Sequence, residues 1–311
     1  MGSAILGVGR YLPQEVERLG VRRPIAIEPV GPSKLAARAT VAALSKAGLT
    51  PTDIDFIIFA TMTPDVTFPG AGVYLQHELG CDTIGALDIR AQCAGFVFAL
   101  AVADQFVRAG VYQRILVAGA EVHSSGLDYS EKGADLARLY GDGGGVAIVG
   151  PAPGTKGVRG VAIHSDGRRH REFWCEYPAS RQHPVRVTVE DIKAGRHFPR
   201  IEAASVREFM LANTPAVIDE ALGKSGVTRD RVDRWIIGTI FPDVAYAVAE
   251  GLQLKPDRVD VPAARHGHLT AGALPVALSE AVDDGALGPG AIVGLAACGA
   301  GFAWGAAIVE L

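Results

Sequence analysis

The sequence predicts an α/β protein built from two pseudo-symmetric halves, and three observations carry that prediction. The chain repeats itself: residues 42–65 read AALSKAGLTPTDIDFIIFATMTPD and residues 220–243 read EALGKSGVTRDRVDRWIIGTIFPD, an ungapped offset of 178 (220 − 42) with about ten of twenty-four positions identical. In each half, apolar runs of strand length alternate with longer apolar stretches of helix length, the pattern of sheets with helices on their faces. Finally, 49% apolar residues over 311 positions supply a large buried core and exclude a disordered chain.

Each element follows from its residues. Gly48 and Gly226 end a helix in each copy, because glycine takes the left-handed cap without steric cost. Thr50 and Thr228 then open a short polar turn, and the apolar run after it (Phe56 to Ala60 in the first copy) suits a strand buried on both faces. Downstream, Ala86 to Ile89 predicts a strand that leads through Cys93 into a helix over 94–109, followed by a strand from Ile115 to Ala118. Gly141-Asp142-Gly143-Gly144-Gly145 precedes an apolar strand rather than a helix, so it reads as tight turning and not as a dinucleotide loop. In the second half, Val259-Asp260-Val261 leads past His268 into a helix over 270–285 and a strand from Ala291 to Ala296. The alternation implies mostly parallel sheets. The boundaries predicted are 1–164 for the first half and 201–311 for the second. Between them, 165–200 reads as an insertion or lid rich in Arg, His and aromatics, or else as a solvated basic loop.

A formal net charge of −4 leaves no basic excess for nucleic acid. The apolar runs are too short to span a membrane, and the first residues lack the basic-then-apolar pattern of a signal peptide. Cys81, Cys93, Cys175 and Cys298 show neither CxxC spacing nor a disulfide pattern, which points to a reducing, cytoplasmic setting without a metal site.

Cys93 stands at a strand-to-helix junction, where a helix dipole lowers a thiol pKa and favours a thiolate nucleophile; a small buried hydrophobe is the alternative. His268, in Arg265-His266-Gly267-His268, opens the matching helix of the second half. A pseudo-twofold axis would bring this base to Cys93; without that axis the histidines are surface polar residues. The terminal Gly299-Ala300-Gly301-Phe302-Ala303-Trp304-Gly305 is small enough for backbone N–H groups to approach a substrate, as an oxyanion hole requires.

Together, Cys93 in Ala-Gln-Cys-Ala-Gly-Phe, Tyr140 to Gly145, Arg265 to His268, the terminal glycine-rich segment, Ile5 to Pro13 and Phe68-Pro69-Gly70 resemble β-ketoacyl-ACP synthase III of the thiolase superfamily, along nearly the whole chain. The resemblance implies a thiolase-like duplicated αβαβα five-layer fold, a homodimer, and no permanently bound cofactor. It also implies a cysteine acylated from acyl-CoA or acyl carrier protein, with the backbone amides of Cys93 and Ala300 as oxyanion hole. Three departures stand out. The His-Gln-Ala-Asn motif is replaced near Gly238-Thr239-Ile240-Phe241, and His268 occupies the family's Asn position. The region that clamps CoA adenine is shortened, with no Trp over residues 14–32.

These departures predict an acyltransferase: Cys93 takes an acyl group from a carrier thioester, and His268 deprotonates an incoming hydroxyl or amine of a small-molecule acceptor, as in relatives of secondary metabolism. Its turnover should fall below about pH 6.5, the unperturbed imidazole pKa. Thr239 and Asp243 are candidates for supporting roles, Asp243 as the carboxylate that orients His268. Two alternatives remain: a carbon–carbon condensing enzyme with a rebuilt decarboxylation site, and a degenerate subunit that stabilises an active homologue.

Overall fold

The computed structural model describes residues 2–152 and 156–311. The first half opens with β1 (Gly2–Tyr11), the short hairpin β2 (Glu15–Arg18) and β3 (Val21–Pro24), and α1 (Pro32–Ala47), which ends on Gly48 at φ 65°. Then come β4 (Phe56–Ala60), α2 (Ala71–Leu79), β5 (Gly85–Ile89), α3 (Gly95–Arg108), β6 (Ile115–Glu121), the single turn α4 (Ala134–Ala137) and β7 (Gly143–Ala152). The second half runs through β8 (Gly157–Ser165), β9 (Phe173–Cys175), α5 (Val189–Lys193), β10 (Pro199–Ile201) and α6 (Ala203–Ser225), whose cap Gly226 has φ 67°. It closes with β11 (Arg234–Gly238), α7 (Pro242–Gly251), β12 (Val259–Asp260), α8 (Pro262–His266), α9 (Ala273–Asp283), β13 (Ile292–Gly299) and β14 (Ala303–Glu310).

Two five-stranded sheets result, ordered β1-β7-β6-β4-β5 and β12-β11-β13-β14-β8. The repeat is explicit in the pairing: β4 lies parallel to β5 and β6 as β11 lies parallel to β12 and β13. The repeated aspartates do the same work in both copies. Asp55 accepts the N–H groups of Gln113 and Arg114 ahead of β6, and Asp233 accepts that of Ile292 at the start of β13. The sheets are mixed rather than mostly parallel. β13 returns directly into β14 through Ala300 to Phe302, too short a link for a parallel crossover, and β7 and β1 likewise pair antiparallel. β8 pairs with β14, so residues 157–164 belong to the second sheet.

Helices α3 and α9 lie between the sheets. Phe96, Leu100 and Leu278 share one core with Ile58 and Val117 of one sheet and Ile236 and Leu295 of the other. Outside, Leu35 and Ala39 of α1 and Leu75 of α2 cover the first sheet, while Met210 and Ile218 of α6 and Val244 and Val248 of α7 cover the second. This is the five-layered arrangement. Small residues make the central layer fit: a Cβ on Gly95 would stand 3.0 Å from Ala60 Cβ and 3.3 Å from Ala271 Cβ.

Candidate active site

The ends of the two central helices meet in the middle of the molecule. Cys93 sits in a 3₁₀ turn over Gln92–Ala94 that feeds α3, and Thr270–Gly272 forms the same turn ahead of α9. Gln92 and Thr270 stand at the repeat offset of 178 (270 − 92), and both hold left-handed backbone, φ 45° and 50°. Non-glycine residues enter that region only at a cost, and such strain concentrates at functional sites. Gly299 passes close over the Cys93 thiol: a Cβ there would stand 2.7 Å from Cys93 Cβ and 3.1 Å from its N.

Cys93 Sγ lies 2.9 Å from His268 Nε2, and both residues are buried. The backbone N–H groups of Cys93 and Ala300, the pair named for the oxyanion hole, act on the sulfur to favour its anion. The thiol is nonetheless pushed up to about 12, first by burial and then by the Glu121 carboxyl. This corrects the expectation of a thiol pKa lowered at a helix start: desolvation outweighs the short turn and its few N–H groups. Burial also holds His268 down at about 3. The resting pair is therefore neutral thiol and neutral imidazole. With Nε2 facing the thiol, His268 Nδ1 is buried without a hydrogen-bond partner.

The two supporting candidates do not join this pair. Asp243 is exposed in the first turn of α7 and pairs with Arg207, so no contact links it to His268. It is an outward residue of a helix start, where a carboxylate satisfies the helix and its neighbours. Thr239 is buried, but its hydroxyl donates to the Phe241 carbonyl 2.7 Å away and closes a local turn. No carboxylate among the described residues bonds to His268.

Three residues not singled out from the sequence complete the surroundings. His123 is buried, its Nε2 lies 2.7 Å from Thr270 Oγ1, and burial followed by the field of His268 lowers it to about 3. Tyr140 packs between the histidines, its ring 4.4 Å from His123 and 5.8 Å from His268. Glu121, raised to about 7 by burial, accepts hydrogen bonds from Thr61, Met62 and Thr63. Asp142 of the glycine-rich turn fixes this corner by accepting the N–H groups of Ala26, His123 and Ser124. The motif around Tyr140 was visible in the sequence. Nothing in local spacing, however, linked it to residue 123 or 268. Of the other cysteines, Cys298 is buried, Cys81 is partly exposed and Cys175 is exposed in the 165–200 segment.

A cysteine at the start of the buried helix, inside a duplicated five-layer αβαβα fold, places the chain in the thiolase-like class of enzymes. Comparison narrows this. The sequence profiles described as 3-oxoacyl-[acyl-carrier-protein] synthase III and its C-terminal region match residues 87–167 and 222–311. The β-ketoacyl-[acyl-carrier-protein] synthase III of Bradyrhizobium diazoefficiens is 35% identical over 99% of this chain and 98% of its own length. That of Rhodospirillum centenum is 34% identical over the same shares. Solved synthase III structures from Aquifex aeolicus (26% identity, all of both chains) and Thermus thermophilus (29%, 99% of each) superpose with TM-scores of 0.89. A priming β-ketosynthase of a polyketide pathway does so equally well, at 28% identity over 99% of this chain and 96% of its own. The chain belongs to the β-ketoacyl-ACP synthase III family. No helix among the described residues is long and apolar enough to cross a membrane.

Proposed function

We propose that this family member transfers an acyl group from acyl-ACP or acyl-CoA to a hydroxyl or amine, with Cys93 as the acylated nucleophile and His268 as general base. One observation carries the reading: Sγ and Nε2 stand 2.9 Å apart in a buried site, and among the described residues no second imidazole or amide side chain hydrogen-bonds to the pair. A site for malonyl decarboxylation needs donors for an enolate. This one offers a single imidazole, which in its neutral form has one N–H and one proton-accepting nitrogen. The thiol attacks the thioester carbon as its proton passes to Nε2, and the N–H groups of Cys93 and Ala300 receive the developing oxyanion. The donor thiol leaves with that proton. His268, neutral again, then takes the acceptor's proton as the acyl–sulfur bond breaks.

The test is to offer malonyl thioester, and separately an acyl thioester with a nucleophile. Acylated acceptor without carbon dioxide release supports transfer to a heteroatom. Carbon dioxide and a β-ketoacyl product would establish condensation, the reading favoured by the 35% identity to named ketosynthases. We further propose a homodimer joined through β5, an edge strand of the first sheet, beside which Phe68 (78% exposed), Val73 (46%) and Leu87 (38%) present an apolar face.

A further inference from the structure

Among the described residues, the only hydrogen bond to the His268 ring is the one it shares with the Cys93 thiol. Its Nδ1 is buried without a partner, so the carboxylate or carbonyl that usually orients a catalytic imidazole is missing. The place of the ring is therefore set by the Tyr140 ring against it and by the backbone on either side. Before and at the residue, the fold is explicit. The His268 N–H donates to the Leu139 carbonyl at 2.6 Å, and the His268 carbonyl accepts the Gly141 N–H at 3.4 Å, a parallel bridge between Tyr140 and His268. Gly267, at φ 72°, lets the two segments close: a Cβ there would stand 2.9 Å from the Tyr140 carbonyl carbon.

After the residue, the anchor is Thr270. It is buried, in the turn Thr270–Gly272 that opens α9, and its hydroxyl shares a hydrogen bond of 2.7 Å with His123 Nε2. His123 is itself fixed. Its N–H donates to Asp142 Oδ1 at 2.8 Å, and its ring packs 4.4 Å from that of Tyr140. Asp142, fully buried, also accepts the N–H groups of Ala26 and Ser124. The first half thus reaches across, through one imidazole, to the turn just behind the base of the second half. The left-handed backbone of Thr270 recurs at Gln92 and so belongs to the turn itself. The tie to a buried imidazole is found only on the side that carries His268.

We infer that His123 is a positioning residue for the base: through Thr270 it holds the turn behind His268 and so keeps Nε2 against the Cys93 thiol. It does from behind what a carboxylate on Nδ1 would do directly. The inference rests on the reading of His268 as general base given above. His123 makes no hydrogen bond to Cys93 or to His268, so its effect on the reaction runs through the place of His268. A misplacement of about 1 Å can cost a reacting group about 10²-fold in rate. Loss of this one tie, with the bridge to Tyr140 intact, should cost about 10-fold.

The test follows loading of Cys93 from S-acetyl-N-acetylcysteamine by mass spectrometry of the Cys93 peptide. His123→Leu and Thr270→Val, each removing one partner, should slow the maximal loading rate by about 10-fold and leave the half-saturating donor concentration within about twofold. His123→Gln and Thr270→Ser keep a hydrogen-bonding group on each side and should stay within about threefold of wild type. In a His268→Ala background, His123→Leu should change the residual rate by less than about twofold, because no base is left to position. The inference is overturned if His123→Leu slows loading as much without His268 as with it, which would make the role merely structural. It is also overturned if His123→Leu and Thr270→Val both load like wild type, or if Thr270→Ser is as slow as Thr270→Val. Should His123→Leu fail to fold by circular dichroism, Thr270→Val, which has the same shape as threonine, decides in its place. Failure of the wild-type enzyme to acquire any acetyl adduct would count against the proposed function instead. Alkylation of Cys93 by iodoacetamide, which needs a proton acceptor for the thiol but no acyl chemistry, would then decide the positioning role. Slowing by Thr270→Val that vanishes in the His268→Ala background supports it, and alkylation indifferent to Thr270→Val overturns it.

Discussion

Replacing His268 by alanine should slow both acyl loading and acyl discharge, which is more than the sequence alone predicted. The geometry sets the scale. His268 Nε2 is 2.9 Å from Sγ, the thiol is pushed up to about 12, and no other base contacts it among the described residues. Near pH 7.5 a thiol with that pKa holds on the order of 10⁻⁴ to 10⁻⁵ of its population as thiolate, so loading depends on concerted proton removal. General-base assistance is typically worth about 10² to 10⁴, and the lower part of that range is expected here in each half-reaction, because a base held at about 3 lies well below the operating pH. The pH dependence changes as well. A buried imidazole held at about 3 stays a competent base down to mildly acid solution. The fall in turnover expected below pH 6.5 should therefore be absent, and the wild-type profile should be flat from about pH 5 to 7. Rapid quench with mass spectrometry of the Cys93 peptide between pH 5 and 9 reads both effects. His268→Asn, which restores the family's residue, should stay as slow as His268→Ala because an amide takes up no proton. Loading of His268→Ala within 10-fold of wild type, or a wild-type acid limb centred near pH 6.5, would refute this account of the dyad.

Gly299→Ala should cut acyl loading by about 10² or more while the far-UV circular dichroism stays native, because the new methyl collides with the Cys93 side chain 2.7 Å from its Cβ. Asp243→Asn should keep activity within about twofold in steady-state assays, since the carboxylate faces outward to Arg207. Light scattering at micromolar concentration should return twice 32.5 kDa, and Leu87→Glu on the apolar edge should shift it toward the monomer. Stability should also fall in acid. The folded pKa of His123 is lowered to about 3, so its contribution is fully present above the unfolded value of about 6.5 and is lost as pH drops toward 3. Between pH 7.5 and pH 5, urea titrations should therefore show His123→Leu losing about 2 kcal/mol less than wild type.

Much of this fold was legible because the chain states it twice. The 178-residue offset aligned Gly48 with Gly226 and Asp55 with Asp233, and each pair does the same structural work in the two copies. Where one copy was altered, the repeat misled. Asp65 and Asp243 share a position, yet one is folded inward beside Ser33 and the other points outward to Arg207. Strand direction was misjudged for a different reason: alternation of strands and helices does not distinguish a crossover from the direct return of β13 into β14. The juxtaposition of Cys93 and His268 followed from pseudo-symmetry. The state of the thiol did not, because a helix-start position says nothing about how much water the fold removes. His123 and Tyr140 were missed since their link to His268 runs through tertiary packing alone.

On the proposed function, that packing lets an imidazole act at a position where the resemblance puts an amide. An amide can only donate to a developing enolate, and it does so equally well whatever its surroundings do to proton affinity. An imidazole in the same place is useful only if it remains neutral, and the fold secures this by burying it behind Tyr140. The cost is a thiol that is almost never ionised at rest, so the site has traded a standing nucleophile for one created at the moment of attack. Such a site is slow toward water and toward stray thioesters, and becomes fast only when a carbonyl sits against the Cys93 and Ala300 N–H groups. On the acyl transfer proposed above, the site holds an acyl group until an acceptor arrives, and this is the useful compromise. It makes a specific demand: acetyl-Cys93 should hydrolyse at least about 10²-fold more slowly than it is discharged by a saturating acceptor. Comparable rates of hydrolysis and transfer, measured on the same trapped acyl-enzyme, would show that the buried neutral pair gives no such protection.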